Sequence, residues 1–198
     1  MARTISFDRE EVLQKAMEIF WQHGYCKCSI ASLVKATGLQ PGSIYAAFGS
    51  KEGLFLAALA YYGQQSRDKL QNCLNTSDTQ LGGIQKFIEL IGEALLDENE
   101  HRGCFLVNTV LGLSPGNCAI KQEVTKYLHT LESMMCTALD KARNTGELPA
   151  NSNPQMLAKY LMVNIWGLQV FAKTNPDKEG IKGVLDQIIA GLRGGAAS

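Results

Sequence analysis

Two groups of side chains in this 198-residue chain can do chemistry. The first is the run Gln40-Pro41-Gly42-Ser43-Ile44-Tyr45-Ala46-Ala47-Phe48, with Lys51 just beyond it. Its amide, hydroxyl, phenol and ammonium groups can hydrogen-bond. The small residues between them let a backbone approach another surface closely. The second group is six cysteines, at 26, 28, 73, 104, 118 and 136. A thiol can ligate a metal, form a disulfide or, as thiolate, attack an electrophile.

The first group is held by a recognisable pair of elements. Ser29 suits an N-cap, and Ile30, Leu33 and Val34 then follow at helical spacing. Gly38 can take the positive φ that ends a helix. Leu39 can plug the corner, and Pro41 suits the first position of a second helix. Ile44 and Phe48, four apart, point into a small core. Gln40, Gly42, Ser43, Tyr45, Ala46 and Ala47 are left outside. A helix–turn–helix needs such a second helix, because the major groove admits one helix and shows each base pair as a distinct donor/acceptor pattern. Lys51 reads as a phosphate contact that compensates for its poor place at a helix N-terminus, or as a tolerated surface lysine. A bundle corner with no DNA role would leave Ser43 and Tyr45 exposed without reason.

The flanks complete the unit. Asp8 can cap a preceding helix, with Glu11 three residues on as in a capping box and Phe7 stapled onto Val12. Gly24 is placed to end that helix. Ser50 can cap a long helix after the recognition segment.

The pattern FDREEVLQKAMEIFWQHGY…CSIASLVKATGLQPGSIYAAFGSKEGLFLAAL resembles the N-terminal DNA-binding domain of TetR/AcrR-type regulators over residues 7–60. The resemblance implies that Tyr45 and Lys51 grip phosphates and that Gln40, Pro41, Gly42, Ser43 and Ala46 approach base edges. It also implies a phosphate contact at Ser29 and a basic arm contact at Arg3. It divides the chain into a helix–turn–helix DNA-binding domain at 1–50 and a helical regulatory and dimerisation domain at 51–198. The function implied is sequence-specific transcriptional regulation by a homodimeric repressor, not catalysis. A helical interaction module without DNA binding is the alternative.

The cysteines are less decisive. The chain is neither short nor led by a secretory signal, so a disulfide framework is not expected. His23, Cys26 and Cys28 supply three ligand types without a second cluster at motif spacing, so neither a metal nor another cofactor is expected. Cys104 follows Arg102 and Gly103 at the start of a helix, where the helix N-terminus and a nearby cation favour thiolate. HRGCFLVNTVL resembles a Gly-Cys step in a branch of TetR-type regulators, some of which sense electrophiles or oxidants there while others pack the cysteine. Lys173 can lie close to it in such a fold, or simply serve as a charge at a helix C-terminus.

The rest of the chain reads as helices throughout, giving an all-α fold of about nine helices with no strand-like alternation. Leu157, Tyr160, Leu161, Ile165, Trp166 and Val170 make a wide apolar arc on the eighth. Ile181, Val184, Leu185, Ile188, Ile189 and Leu192 do so on the ninth. Part of each arc feeds the core, and the excess suggests a homodimer through these two helices. Phe87, Ile91, Phe105, Met135 and Trp166 are candidate lining residues for an apolar small-molecule inducer, the alternative to an electrophile signal. Nineteen basic residues balance nineteen acidic ones, but residues 1–51 carry six against four. That suits site-specific binding to a double-stranded DNA operator rather than coating of DNA. No apolar run approaches the ~18 residues that span a bilayer. A cytoplasmic protein without a membrane partner is expected.

Overall fold

The computed structural model of the chain describes residues 7–97, 102–114, 118–174 and 176–194. The described residues form nine α-helices and no strand: α1 (Arg9–His23), α2 (Ile30–Thr37), α3 (Pro41–Phe48), α4 (Lys51–Asn75), α5 (Gln80–Leu96), α6 (Phe105–Gly112), α7 (Cys118–Asn144), α8 (Pro154–Ala172) and α9 (Lys178–Gly194). Arg3, with residues 115–117 and 195–198, lies outside the described residues.

The helix ends follow the capping chemistry of the sequence. The Asp8 carboxylate accepts from the Glu10 and Glu11 amides at 2.9 and 3.2 Å. Glu11 turns its own carboxylate to Lys15, 2.6 Å away and one turn on. A reciprocal capping box forms at α2, where Ser29 and Ser32 each cap the other's backbone amide at 3.0 and 3.1 Å. Gly24 closes α1 at φ 76°, and its amide donates to the Phe20 carbonyl.

Two hydrophobic cores stack along the molecule. The first joins α1, α2, α3, the start of α4, α6 and the start of α7 through Phe20, Leu33, Ile44, Phe55, Phe105 and Val124. The second joins the end of α4, α5, the rest of α7, α8 and α9 through Leu70, Phe87, Met135, Leu161 and Ile188. Each fully buried side chain of this size contributes roughly 1.5–3 kcal/mol from transfer out of water. At 25 residues, α4 is about 37 Å long and reaches from one core into the other. Leu54 and Leu59 lie in the first core, and Leu70 and Cys73 in the second. The boundary expected at residue 50 thus falls at the cap of a helix whose first turns belong to the N-terminal core.

Candidate nucleic-acid interface

The corner between α2 and α3 is tied by a hydroxyl that sequence reasoning passed over. The Thr37 hydroxyl donates to the Leu33 carbonyl at 2.7 Å and accepts from the Leu39 amide at 3.3 Å. Gly38 between them is left-handed at φ 74°, ψ 0°. Leu39 is buried in the corner, and Ile44 anchors α3 from below with no exposure. The hydroxyl, the glycine and the two apolar anchors fix how α3 projects from the protein.

The opposite side of α3 faces outward. Gln40, Pro41, Gly42 and Ala46 are exposed, Ser43 is half-buried, and Tyr45 is 47% exposed. Gln40 occupies the N-cap of α3 without spending its side chain on the cap, so its amide stays available. Ser29, by contrast, has its hydroxyl engaged with Ser32. Lys51 begins α4, and its ammonium sits 4.6 Å from the centroid of the Tyr25 ring. That ring packs on Phe55 at 4.9 Å, so the lysine has a rigid seat. Burial, then the nearby charges of Glu52 and Cys26, hold the Tyr25 phenol above its usual pKa, so the seat is neutral. Arg9 adds a cation that no local pattern singles out: its guanidinium lies 4.8 Å from the centroid of the Phe48 ring at the end of α3. Arg9 and Phe48 are far apart in sequence, and only the fold joins them.

The comparisons with known proteins bear on this geometry. The family described as "Bacterial regulatory proteins, tetR family" matches residues 12–58, and "Tetracyclin repressor-like, C-terminal domain" matches residues 80–188. The second match alone spans more than half of the chain. The chain belongs to the TetR family. It is 32% identical over 178 residues to the HTH-type transcriptional repressor ComR of Escherichia coli K12, covering 87% of this chain and 83% of ComR. It is 25% identical over 187 residues to YezE of Bacillus subtilis 168, an uncharacterized HTH-type transcriptional regulator, covering 94% of this chain and 96% of YezE. Among solved structures it resembles a cysteine mutant of the TetR-family regulator CifR bound to 26-bp operator DNA. That match has a TM-score of 0.86 and 29% identity, covering 95% of this chain and 98% of CifR. Members of the TetR family regulate transcription by binding DNA and are not enzymes, and this chain shares that function and the all-helical two-part fold.

Within this TetR-family fold, Cys104 takes the packed place that was one of its two expected roles. It is the N-cap of α6 and is buried. The amides of Val107 and Leu106 and the Tyr62 hydroxyl, 3.6 Å from Sγ, favour the thiolate, but burial outweighs them and pushes the thiol up. The Arg102 guanidinium lies 5.0 Å from the centroid of the Trp21 ring. Lys173 ends α8 beside the same segment. Its ammonium donates to Asn108 Oδ1 at 3.0 Å, and its stem lies against Gly103. Gly103 has φ 65°, and an added Cβ would come within 2.9 Å of the Gln169 carbonyl, which explains the glycine before the cysteine.

The five candidate inducer-lining residues are shared between the two cores. Phe87, Ile91 and Met135 belong to the second core, Phe105 to the first, and Trp166 touches both. A cleft of about 200 Å³ opens between the α1–α2 turn and α6, and of these five only Phe105 lines it. The cysteines 26, 28, 73, 104 and 136 are free thiols. Among the described residues no group of three His, Cys, Asp or Glu is placed to hold a metal ion.

Proposed function

We propose that this TetR-family chain is a homodimeric repressor that reads a two-fold operator in double-stranded DNA. The observation that carries this reading is the outward face of α3, Gln40 to Ala46, flanked by Lys51 on its aromatic seat. Gln40, Pro41, Gly42, Ser43 and Ala46 approach base edges, while Tyr45, Lys51 and Ser29 hold phosphates. One eight-residue helix reads few bases, so two are needed, spaced about 34–36 Å apart on one face of the duplex.

The second copy docks on α8 and α9. Met156 and Val163 are each 60% exposed, and Tyr160, Val170, Phe171 and Val184 are also open. Met156, Tyr160, Val163 and Val170, spaced four, three and seven apart, leave an apolar stripe on α8 outside the monomer core, and Val184 adds to it from α9. Residues 1–50 read DNA, and residues 51–198 hold the partner and receive the signal, either a small molecule or modification of Cys104. ComR is itself a repressor, and the CifR structure holds operator DNA, which supports the reading. No helix among the described residues is long and apolar enough to cross a membrane, in keeping with a cytoplasmic regulator. Sedimentation of the protein with a duplex enriched from random sequence tests the assembly. Two chains per duplex are expected. One chain per duplex would remove the dimer from the account.

A further inference from the structure

We propose that the cleft between the α1–α2 turn and α6 binds a small aromatic carboxylate, and that filling it weakens DNA binding. Its floor is built from the rings of Phe20, Tyr25, Phe55 and Phe105, which pack on one another at centroid distances of 4.7 to 6.5 Å. Its polar walls are already satisfied. Trp21 Nε1 donates to the Arg102 carbonyl, Asn108 bonds both that carbonyl and Lys173, and the Thr109 hydroxyl donates to the Phe105 carbonyl. Phe20, Phe55 and Phe105 lie beneath the surface, so the faces open to a ligand are those of the half-buried Trp21 and Tyr25 rings rather than unpaired hydrogen-bonding groups. At the rim stand His23 and Lys27, and no carboxylate lines the cleft among the described residues. Apolar depth with a cationic rim fits a flat ring carrying an anionic end. Drug-sized ligands fill roughly 300–1,000 Å³. A cleft of about 200 Å³ takes one or two rings.

The link to DNA is Tyr25. Its ring walls the cleft and also seats Lys51. A ligand that wedges the α1–α2 turn from α6 displaces that seat. This half of the inference rests on the phosphate role proposed for Lys51.

The test uses 4-iodobenzoate, whose heavy atom quenches an indole it touches. The chain has two tryptophans, so the Trp166→Phe variant leaves Trp21 as sole reporter. Saturable quenching is expected, with a dissociation constant on the order of 0.1–1 mM for so small a ligand. Gly112 lines the cleft, and a Cβ there meets nothing within 4 Å, so Gly112→Phe plugs the space without a clash at its base. Gly112→Phe should abolish the quenching with helical content and thermal midpoint unchanged, and Lys27→Ala should weaken binding about fivefold. On a duplex enriched from random sequence, saturating 4-iodobenzoate should weaken DNA binding about fivefold, and the duplex should weaken 4-iodobenzoate by the same factor. Absence of saturable quenching, or quenching that survives Gly112→Phe, overturns the site. DNA affinity indifferent to saturating ligand overturns the coupling. Quenching with no duplex binding at all would overturn the phosphate role of Lys51 and, with it, the coupling, while leaving the site.

Discussion

The Lys51 ammonium lies over the ring of Tyr25, 4.6 Å from its centroid, and so ties the first turn of α4 to the turn after α1. A lysine at a helix N-terminus faces an unfavourable dipole. The ring offsets part of that cost and fixes where the charge points. Lys51→Ala should weaken binding to every duplex alike and reduce the slope of log affinity against log salt by about 0.9 per recognition helix. Tyr25→Leu keeps the charge but loses its seat, so affinity should fall with the slope nearly unchanged. Anisotropy titrations across a salt series separate the two. Unchanged affinity in Lys51→Ala would remove it from the phosphate contacts.

The α2–α3 corner rests on local bonds, and each can be tested by stability. Ser29→Ala removes the capping box and should cost about 1 kcal/mol. Gly38→Ala forces a side chain into a left-handed turn and should cost about 1–3 kcal/mol. Thr37→Val unties the corner and leaves the Leu39 amide without its partner. Urea midpoints measure all three. A neutral Gly38→Ala would mean the turn relaxes.

Much of this corner was legible in sequence because its signals are local. Ser29, Gly38, Pro41 and the Ile44–Phe48 pair each announce a cap, a turn or a face within four residues. The Ser50 cap that opens α4 follows from the same short-range chemistry. What escaped was long-range. Arg9 meets Phe48, Lys51 meets Tyr25, and Arg102 meets Trp21; no spacing rule reaches those pairs. Periodicity also could not divide α8 between core and surface. Leu161 and Ile165 are buried, while Val163, as apolar as they are, and Met156 are open.

Cys104 should behave as a buried thiol. Its native pKa is raised by burial, above the ordinary thiol value of about 8.5 in the unfolded chain. Below that value both states keep the proton, and the contribution to stability is fully present. As pH rises beyond it, the unfolded chain loses a proton that the native state holds, so stability falls until the native thiol titrates. The loss of urea midpoint between about pH 7 and pH 9.5 should therefore be smaller in Cys104→Ala than in the parent. Iodoacetamide should label exposed Cys26 well before Cys104. Labelling of Cys104 first would contradict its burial.

Val163 stands in the middle of the exposed stripe of α8, away from the monomer core. Val163→Glu should leave the fold intact and shift the protein to monomer in sedimentation equilibrium. DNA affinity should fall with it, because a single recognition helix loses the second half-site. A Val163→Glu dimer of parental strength would place the partner interface elsewhere.

The most direct test of the central claim is selection of duplexes from a random pool by the purified protein, repeated with Ser43→Ala and Gln40→Ala. The account expects a motif with two inverted half-sites one helical turn apart, about 34–36 Å centre to centre. It expects each substitution to relax base choice at a defined position in both half-sites, with overall binding retained. A pool that enriches no motif, or a motif whose base preferences are indifferent to both substitutions, would contradict the assignment of α3 as the reading helix.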